Sequence, residues 1–410
     1  MLLFQPASVS RPRRRKSEST RVGLAIAGGG PIGGMYEMGA LRALDEAIDG
    51  LDLNRLDVYV GVSSGAFLAA ALANRISTAQ MCRIFITGDD PELHFRPESF
   101  LRPAVGEYAR RAATLPQRVV TLWRDWLLRP SEASFSDLID HVSGMVPTGL
   151  FDNSAIEAFM RRAFTMHGRT NDFRELDRKL YVVGVDIDTG EAVRFGAAGW
   201  DDVPISKAIQ ASSALPGLYP PVDIRGRHFV DGALRRTMHA SVALDHGIDL
   251  LLGVNPLVPF DSSRSIHPER LDKLAKGGLP MVLSQTFRTL LQSRVEVGLA
   301  KYAQTYPEVD QLVFEPNPEE GEMFFTSIFG YGSRARVCDY AYRSTLADLA
   351  ARRDTLGPML AAKGMQLRGE LLDDPQRSIF DGLPPVLGGT DATARLRRAL
   401  DDVQELVRRS

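Results

Sequence analysis

Short apolar runs that end on glycine and lead into helical spacing dominate the first half of the chain. Val22-Gly23-Leu24-Ala25-Ile26-Ala27 has the length and unbroken apolar character of a buried strand, and it runs directly into Gly28-Gly29-Gly30-Pro31-Ile32-Gly33-Gly34. Met38, Leu41, Leu44 and Ile48 then recur at helical spacing, so a helix is expected over residues 35 to 48. The pattern returns at Val58-Tyr59-Val60-Gly61-Val62-Ser63-Ser64-Gly65-Ala66, which reads as a strand, a glycine-flanked serine and a helix start. Farther on, Leu180 to Val185 and Ala192 to Phe195 read as two strands joined by a turn at Asp186-Ile187-Asp188-Thr189-Gly190. A shorter run, Phe229-Val230, ends on Asp231-Gly232. Strands alternating with helices predict an α/β fold: a three-layer sandwich around a mainly parallel sheet, spanning residues 21 to 260.

The periodicity changes elsewhere. Residues 88 to 146 read as a helical insertion, and within it the stretch from Tyr108 to Arg129 mixes Leu115, Leu122, Trp123 and Trp126 with Arg110, Arg111, Arg118 and Arg124. A basic helix carrying tryptophan and leucine has the composition of an interfacial segment or lid; a cap helix with a solvated arginine face has it equally. Residues 261 to 410 read as a mainly helical part packed on the α/β domain. Helical spacing covers Leu271 to Tyr302, with Leu290, Leu291, Val295 and Leu299 as its expected buried stripe, then Ala335 to Ala362, then about Asp391 to Arg408. The aromatic run Met323 to Tyr331 fills core, lines an apolar channel or makes a membrane contact. Residues 1 to 20, with Pro6, Pro12 and the cluster Arg11, Arg13, Arg14, Arg15 and Lys16, are expected to be a disordered basic tail.

Composition narrows the classes. With 44% hydrophobic residues and a net charge of −2, the chain is neither a disordered polymer nor a nucleic-acid binder. Two cysteines, Cys82 and Cys338, exclude a disulfide scaffold and a cysteine zinc site. No run approaches the ~18 apolar residues of a membrane span, and the first ten residues lack the apolar core of a signal peptide. A cytoplasmic chain, soluble or peripheral to a membrane, is therefore expected.

Two stretches carry candidate chemistry. Gly61-x-Ser63-x-Gly65 between a strand and a helix has the form of a nucleophile elbow, in which glycine on both sides lets the chain turn sharply around the serine. The loop Gly28-Gly29-Gly30 exposes backbone N–H groups at a helix start and can bind an anion. A nucleotide P-loop fails because Gly33-Gly34-Met35 supplies neither lysine nor hydroxyl. A dinucleotide site fails because the second strand ends on the serine elbow and not on an acid. An oxyanion hole remains, with loop amides from one strand facing the serine of the next. For a base, His228, His239, His246 and His267 are available, each reading equally as a surface or core histidine. Asp231, at a strand end before glycine, is the acidic candidate, and Asp-Gly is also a plain turn. Asp186-Ile187-Asp188-Thr189-Gly190 imitates the start of a calcium loop. Gly190 stands where an oxygen ligand is required, so no metal is assigned.

In order along the chain, Gly28-Gly29-Gly30-x-x-Gly33, Gly61-x-Ser63-x-Gly65, Ala211-Ser212-Ser213-Ala214-Leu215-Pro216-Gly217 and Asp231-Gly232-Ala233 resemble the patatin-like phospholipase family. Pro147-Thr148-Gly149-Leu150-Phe151 and Val185 to Glu191 look like further family segments. The resemblance implies a Ser63–Asp231 dyad and an oxyanion hole from Gly28, Gly29 and Gly30. It implies no cofactor, no calcium requirement, and a phospholipid or neutral lipid substrate met at a membrane surface. Two departures stand out: Ile32 where the family tends to carry a basic residue, and Thr237 and His239 where Asn and Pro are usual. The expected function is lipid acyl hydrolysis through an acyl-serine intermediate. The rival readings are a nonhydrolytic lipid-binding module at the membrane surface and a His-dependent esterase or thioesterase on soluble acyl esters.

Overall fold

A computed structural model of the chain describes residues 1–9, 20–105, 108, 148–166, 168–261, 263, 276–320 and 333–383. In chain order its strands are β1 (Leu2–Gln5), β2 (Val22–Ile26), β3 (Ile48–Asp49), β4 (Val58–Gly61), β5 (Lys179–Asp186), β6 (Ala192–Phe195), β7 (Val222–Ile224), β8 (Arg227–Asp231), β9 (Leu250–Val254), β10 (Asp310–Phe314) and β11 (Gln366–Leu367). The helices of eight residues or more are α1 (Gly30–Ala47), α2 (Ser64–Ala73), α3 (Ser154–Phe164), α4 (Ile205–Ser212), α5 (Gly278–Thr305), α6 (Arg334–Ala351) and α7 (Arg353–Ala361). The basic cluster at 11–16, the tryptophan–arginine stretch from residue 109 onward, His267, the aromatic run and the last expected helix lie outside the described residues.

Two compact units divide the chain. The first comprises Met1–Phe95, Leu176–Tyr181 and Arg236–Ser410. In it β10, β9, β2 and β4 lie side by side, all parallel, and β1 adds an antiparallel edge strand on β10. β2 and β9 are buried along their whole length, as their unbroken apolar runs require of strands covered on both faces. The register aligns Ile26 with Gly61 on one side and with Val254 on the other, so three strands end at one level. Helices flank this sheet. α1 and α6 pack closely at Gly39, where a Cβ would come within 2.1 Å of the Cys338 carbonyl oxygen. The mixed, mainly parallel sheet with flanking helices is the α/β class that the alternation predicts.

Arg96–Glu175 and Val182–Arg235 form the second unit. Here β5 pairs with β6 and β8, and β8 with β7, all antiparallel. The turn expected at 186–190 joins β5 to β6. Phe195, Phe229 and Trp200 pack edge to face at 5.2–5.6 Å. The buried Asp186 carboxylate pairs with Arg227, whose guanidinium also lies over the Trp200 ring at 5.3 Å.

Three expectations are corrected. Leu2–Gln5 is not tail but strand β1, because Leu2, Leu3 and Phe4 find β10 as a partner more than three hundred residues away. No boundary between units falls at residue 260: the carboxyl-terminal part belongs with the amino-terminal strands, and β10 within it is a strand of their sheet. On α5, Leu291 and Val295 are buried as expected but Leu290 faces out. The reason is polar. Gln292 turns inward to accept from Asn255 and donate to Glu315, and that network sets the rotation of the helix.

Candidate active site

β4 ends at Gly61 and α2 begins at Ser64, leaving only Val62 and Ser63 to reverse the chain. Ser63 adopts φ 50°, ψ −120°, a left-handed conformation that side-chain-bearing residues rarely take and that persists only when the surroundings enforce it. The enforcement is visible on both sides. A Cβ at Gly61 would meet the Ala66 Cα at 2.5 Å, and one at Gly65 would meet the Ile26 and Ala27 carbonyl oxygens at 2.5 Å each. The Gly65 amide donates to the Val62 carbonyl at 2.8 Å and Ala66 to the Ser63 carbonyl at 3.0 Å, closing the turn. The Ser63 hydroxyl does not cap α2. The G-x-S-x-G motif is thus a strained, buried elbow at the carboxyl end of a parallel strand.

The glycine loop is its neighbour. β2 ends level with Gly61, and the Val62 amide donates to the Ile26 carbonyl at 3.1 Å. The chain then turns through Gly28 and Gly29 into α1, and Gly30 takes φ +61°, which glycine adopts without strain. The loop is held from behind by Pro256, which follows β9 and leaves no room for a side chain on Gly29. The Gly28 amide donates to the Thr237 carbonyl at 3.3 Å. Gly29 and Gly30 stand at the cap and first position of α1, where a helix directs N–H groups that have no intrahelical partner and the positive end of its dipole. Thr237, one of the departures noted above, therefore holds the loop through its main chain; its buried hydroxyl has no partner among the described residues.

Glu37 was missed by the sequence reading. It is fully buried on α1, and its Oε1 accepts the Ser64 hydroxyl at 3.0 Å. Burial pushes its carboxyl well above the usual range, and the bond from Ser64 offsets this only in part. The signal was present: Glu37 stands four residues before Leu41 and seven before Leu44, on the apolar face of the expected helix.

Asp231 lies in the second unit, as the last residue of β8, and is buried. Its carboxylate accepts from the Ala233 amide at 2.9 Å, and its own amide donates to the Ala214 carbonyl at 3.0 Å. The block 211–217 is thus fastened directly to the aspartate. Within the same unit Gly149 pairs with Gly217, and the Phe151 amide donates to the Leu218 carbonyl at 2.9 Å, so the segments around 149 and 217 form one structure. The Ser212 hydroxyl donates to the Val183 carbonyl at 2.6 Å, and the Ser213 hydroxyl is buried without a partner among the described residues. Of the histidines, His228 is exposed beside Asp188 at 3.6 Å, and His246 stacks on Tyr181 and bonds its hydroxyl at 3.0 Å. His239 is buried at φ 49°. Among the described residues no cluster of three or more His, Cys, Asp or Glu is arranged to hold a metal, and no helix is long and apolar enough to cross a membrane.

An elbow serine beside a glycine loop at the carboxyl ends of parallel strands, with an aspartate closing a later strand, defines a class. The chain belongs to the patatin-like phospholipase family, whose family model matches residues 24–244, more than half of its length. It is 28% identical over 233 residues to uncharacterized NTE family proteins of Mycobacterium tuberculosis and Mycobacterium bovis. That match covers 56% of this chain and 29% of each relative. Among solved structures, similarity extends to VipD from Legionella pneumophila, at 16% identity and a TM-score of 0.38 over 85% of this chain and 70% of that one. A human GIVD cytosolic phospholipase A2 is similar at 14% identity and a TM-score of 0.33, over 84% of this chain and 60% of that one.

Proposed function

We propose that the chain hydrolyses acyl esters of membrane or neutral lipids through an acyl-Ser63 intermediate. The Ser63 Oγ attacks the ester carbonyl carbon while its proton passes to Asp231. The amides of Gly29 and Gly30 stabilise the negative charge that develops on the carbonyl oxygen. Collapse of that intermediate breaks the ester bond, and the departing alcohol or lyso-lipid takes the proton from Asp231. Water, deprotonated by the same carboxylate, then attacks the acyl-serine and releases a fatty acid, restoring Ser63.

The observation that carries the reading is the backbone of Ser63. A left-handed, non-glycine residue wedged between two obligatory glycines is a costly feature, of about 1–3 kcal/mol, and such strain concentrates at reacting groups. The adjoining loop amides supply the complementary half of an acyl-transfer site. Membership of a lipid-hydrolase family and the form of the 211–217 and 231–233 blocks support a carboxylate base. Peripheral contact with a lipid surface belongs to the same proposal. The test is fatty-acid release from mixed phospholipid and triacylglycerol vesicles with chelator present, comparing the wild type with Ser63→Ala and Asp231→Ala. Loss in both, with folding intact, is the expected result, and the products name the ester class. A wild type that releases nothing favours lipid binding alone, and an active Asp231→Ala favours a histidine base.

A further inference from the structure

The reaction as written leaves one buried acid beside the elbow unused. Glu37 stands within the second turn of α1, its Oε1 takes the Ser64 hydroxyl, and its Oε2 has no partner among the described residues. Ser64 directly follows the nucleophile and is the first residue of α2. The second turn of α1 and the first turn of α2 are in contact here, since a Cβ on Gly34 would stand 3.4 Å from the Ser64 Cβ. Stability does not account for the pair. A buried carboxyl with one oxygen unpaired is unfavourable, and replacing both members of such a pair by apolar groups of similar shape is typically neutral or stabilising. What the bond does join is the two helices that begin at the reacting groups, α1 at Gly30 and α2 just after Ser63.

We propose that Glu37 is a positioning residue of the acyl-transfer site: by accepting the Ser64 hydroxyl it fixes the first turn of α2 against α1, and so sets the spacing between the loop amides and the Ser63 hydroxyl. The inference rests on Ser63 being the nucleophile. It requires an acceptor at the Oε1 position and no charge, which glutamine supplies and leucine does not. Small errors in the placement of reacting groups are expensive in rate, so the effect belongs in kcat and not in substrate binding.

The test measures kcat, KM and the thermal midpoint for the wild type, Glu37→Gln, Glu37→Leu, Ser64→Ala and the Glu37→Leu/Ser64→Ala pair, on a long-chain acyl ester in detergent micelles. Ser63→Ala sets the background. Glu37→Gln is expected within about threefold of the wild type, whereas Glu37→Leu and Ser64→Ala each lose about tenfold or more in kcat with KM nearly unchanged. The pair is expected to lose no more than either single variant, because both cut the same link, and to melt no lower than the wild type. Glu37→Leu with wild-type kcat, or a loss in kcat that Glu37→Gln fails to restore, overturns the positioning role while leaving the nucleophile in place. A wild type no faster than Ser63→Ala removes the catalytic reading, and this inference with it.

Discussion

Ser63 stands two residues past the end of β4 and Asp231 is the last residue of β8, yet their backbones are held by different means. Ser63 stands at φ 50°, ψ −120°, pinned by carbonyl oxygens and an α-carbon that allow no side chain on either flanking glycine. Asp231 stands at φ −52°, ψ 132°, which any residue adopts, and is oriented by hydrogen bonds with Ala233 and Ala214. A position enforced by crowding writes itself into the sequence as obligatory small residues. A position enforced by hydrogen bonds to main chain leaves almost no trace.

That contrast can be broken or sharpened by substitution. Ser63→Ala is expected to lower ester hydrolysis by about 10⁴-fold or more, since the acyl intermediate cannot form; urea denaturation checks that the fold survives. Asp231→Asn keeps an oxygen for the Ala233 amide but cannot take a proton, and is expected to cost about 10²- to 10⁴-fold in kcat with stability changed by less than about 1 kcal/mol. Gly65→Ala probes the crowding. A methyl group 2.5 Å from two carbonyl oxygens is expected to destabilise by about 3 kcal/mol, and an unchanged denaturation midpoint would contradict the described turn. Ser63→Gly relieves the left-handed backbone and is expected to raise stability by about 1 kcal/mol while abolishing acyl transfer.

The smallest effect concerns Glu37. Its carboxyl is raised well above 4.5 in the fold by burial, with the Ser64 bond opposing. Between the unfolded and folded values the native state holds one proton more than the unfolded state, so its contribution to stability falls as pH rises through that window. Glu37→Gln has no such proton to lose. The variant is expected to match the wild type below about pH 4.5 and to become the more stable of the two as pH rises, read from urea midpoints across that range.

Much of the fold was legible because buried parallel strands are continuous apolar runs: β2 and β4 announce themselves, and the glycine loop and elbow follow them. The turn between β5 and β6 was legible from its Asp-Thr-Gly chemistry. β1 was not, because three apolar residues close before a proline acquire meaning only from β10, more than three hundred residues later. Nor was the outward face of Leu290, which depends on a buried amide–carboxyl network linking Asn255, Gln292 and Glu315. In the site, Ser63 was readable from its own neighbours, whereas Asp231 gained meaning only from the order of four blocks. Nothing local to Gly28 reveals that its amide is engaged by Thr237.

The central claim, a Ser63 nucleophile activated by Asp231, is tested most directly by covalent labelling with a long-chain alkyl fluorophosphonate, followed by intact mass and peptide mapping. The account predicts a single adduct, on Ser63, forming about 100-fold or more slowly in Asp231→Asn. An adduct on another residue, no adduct at all, or equal rates in the two proteins would contradict it.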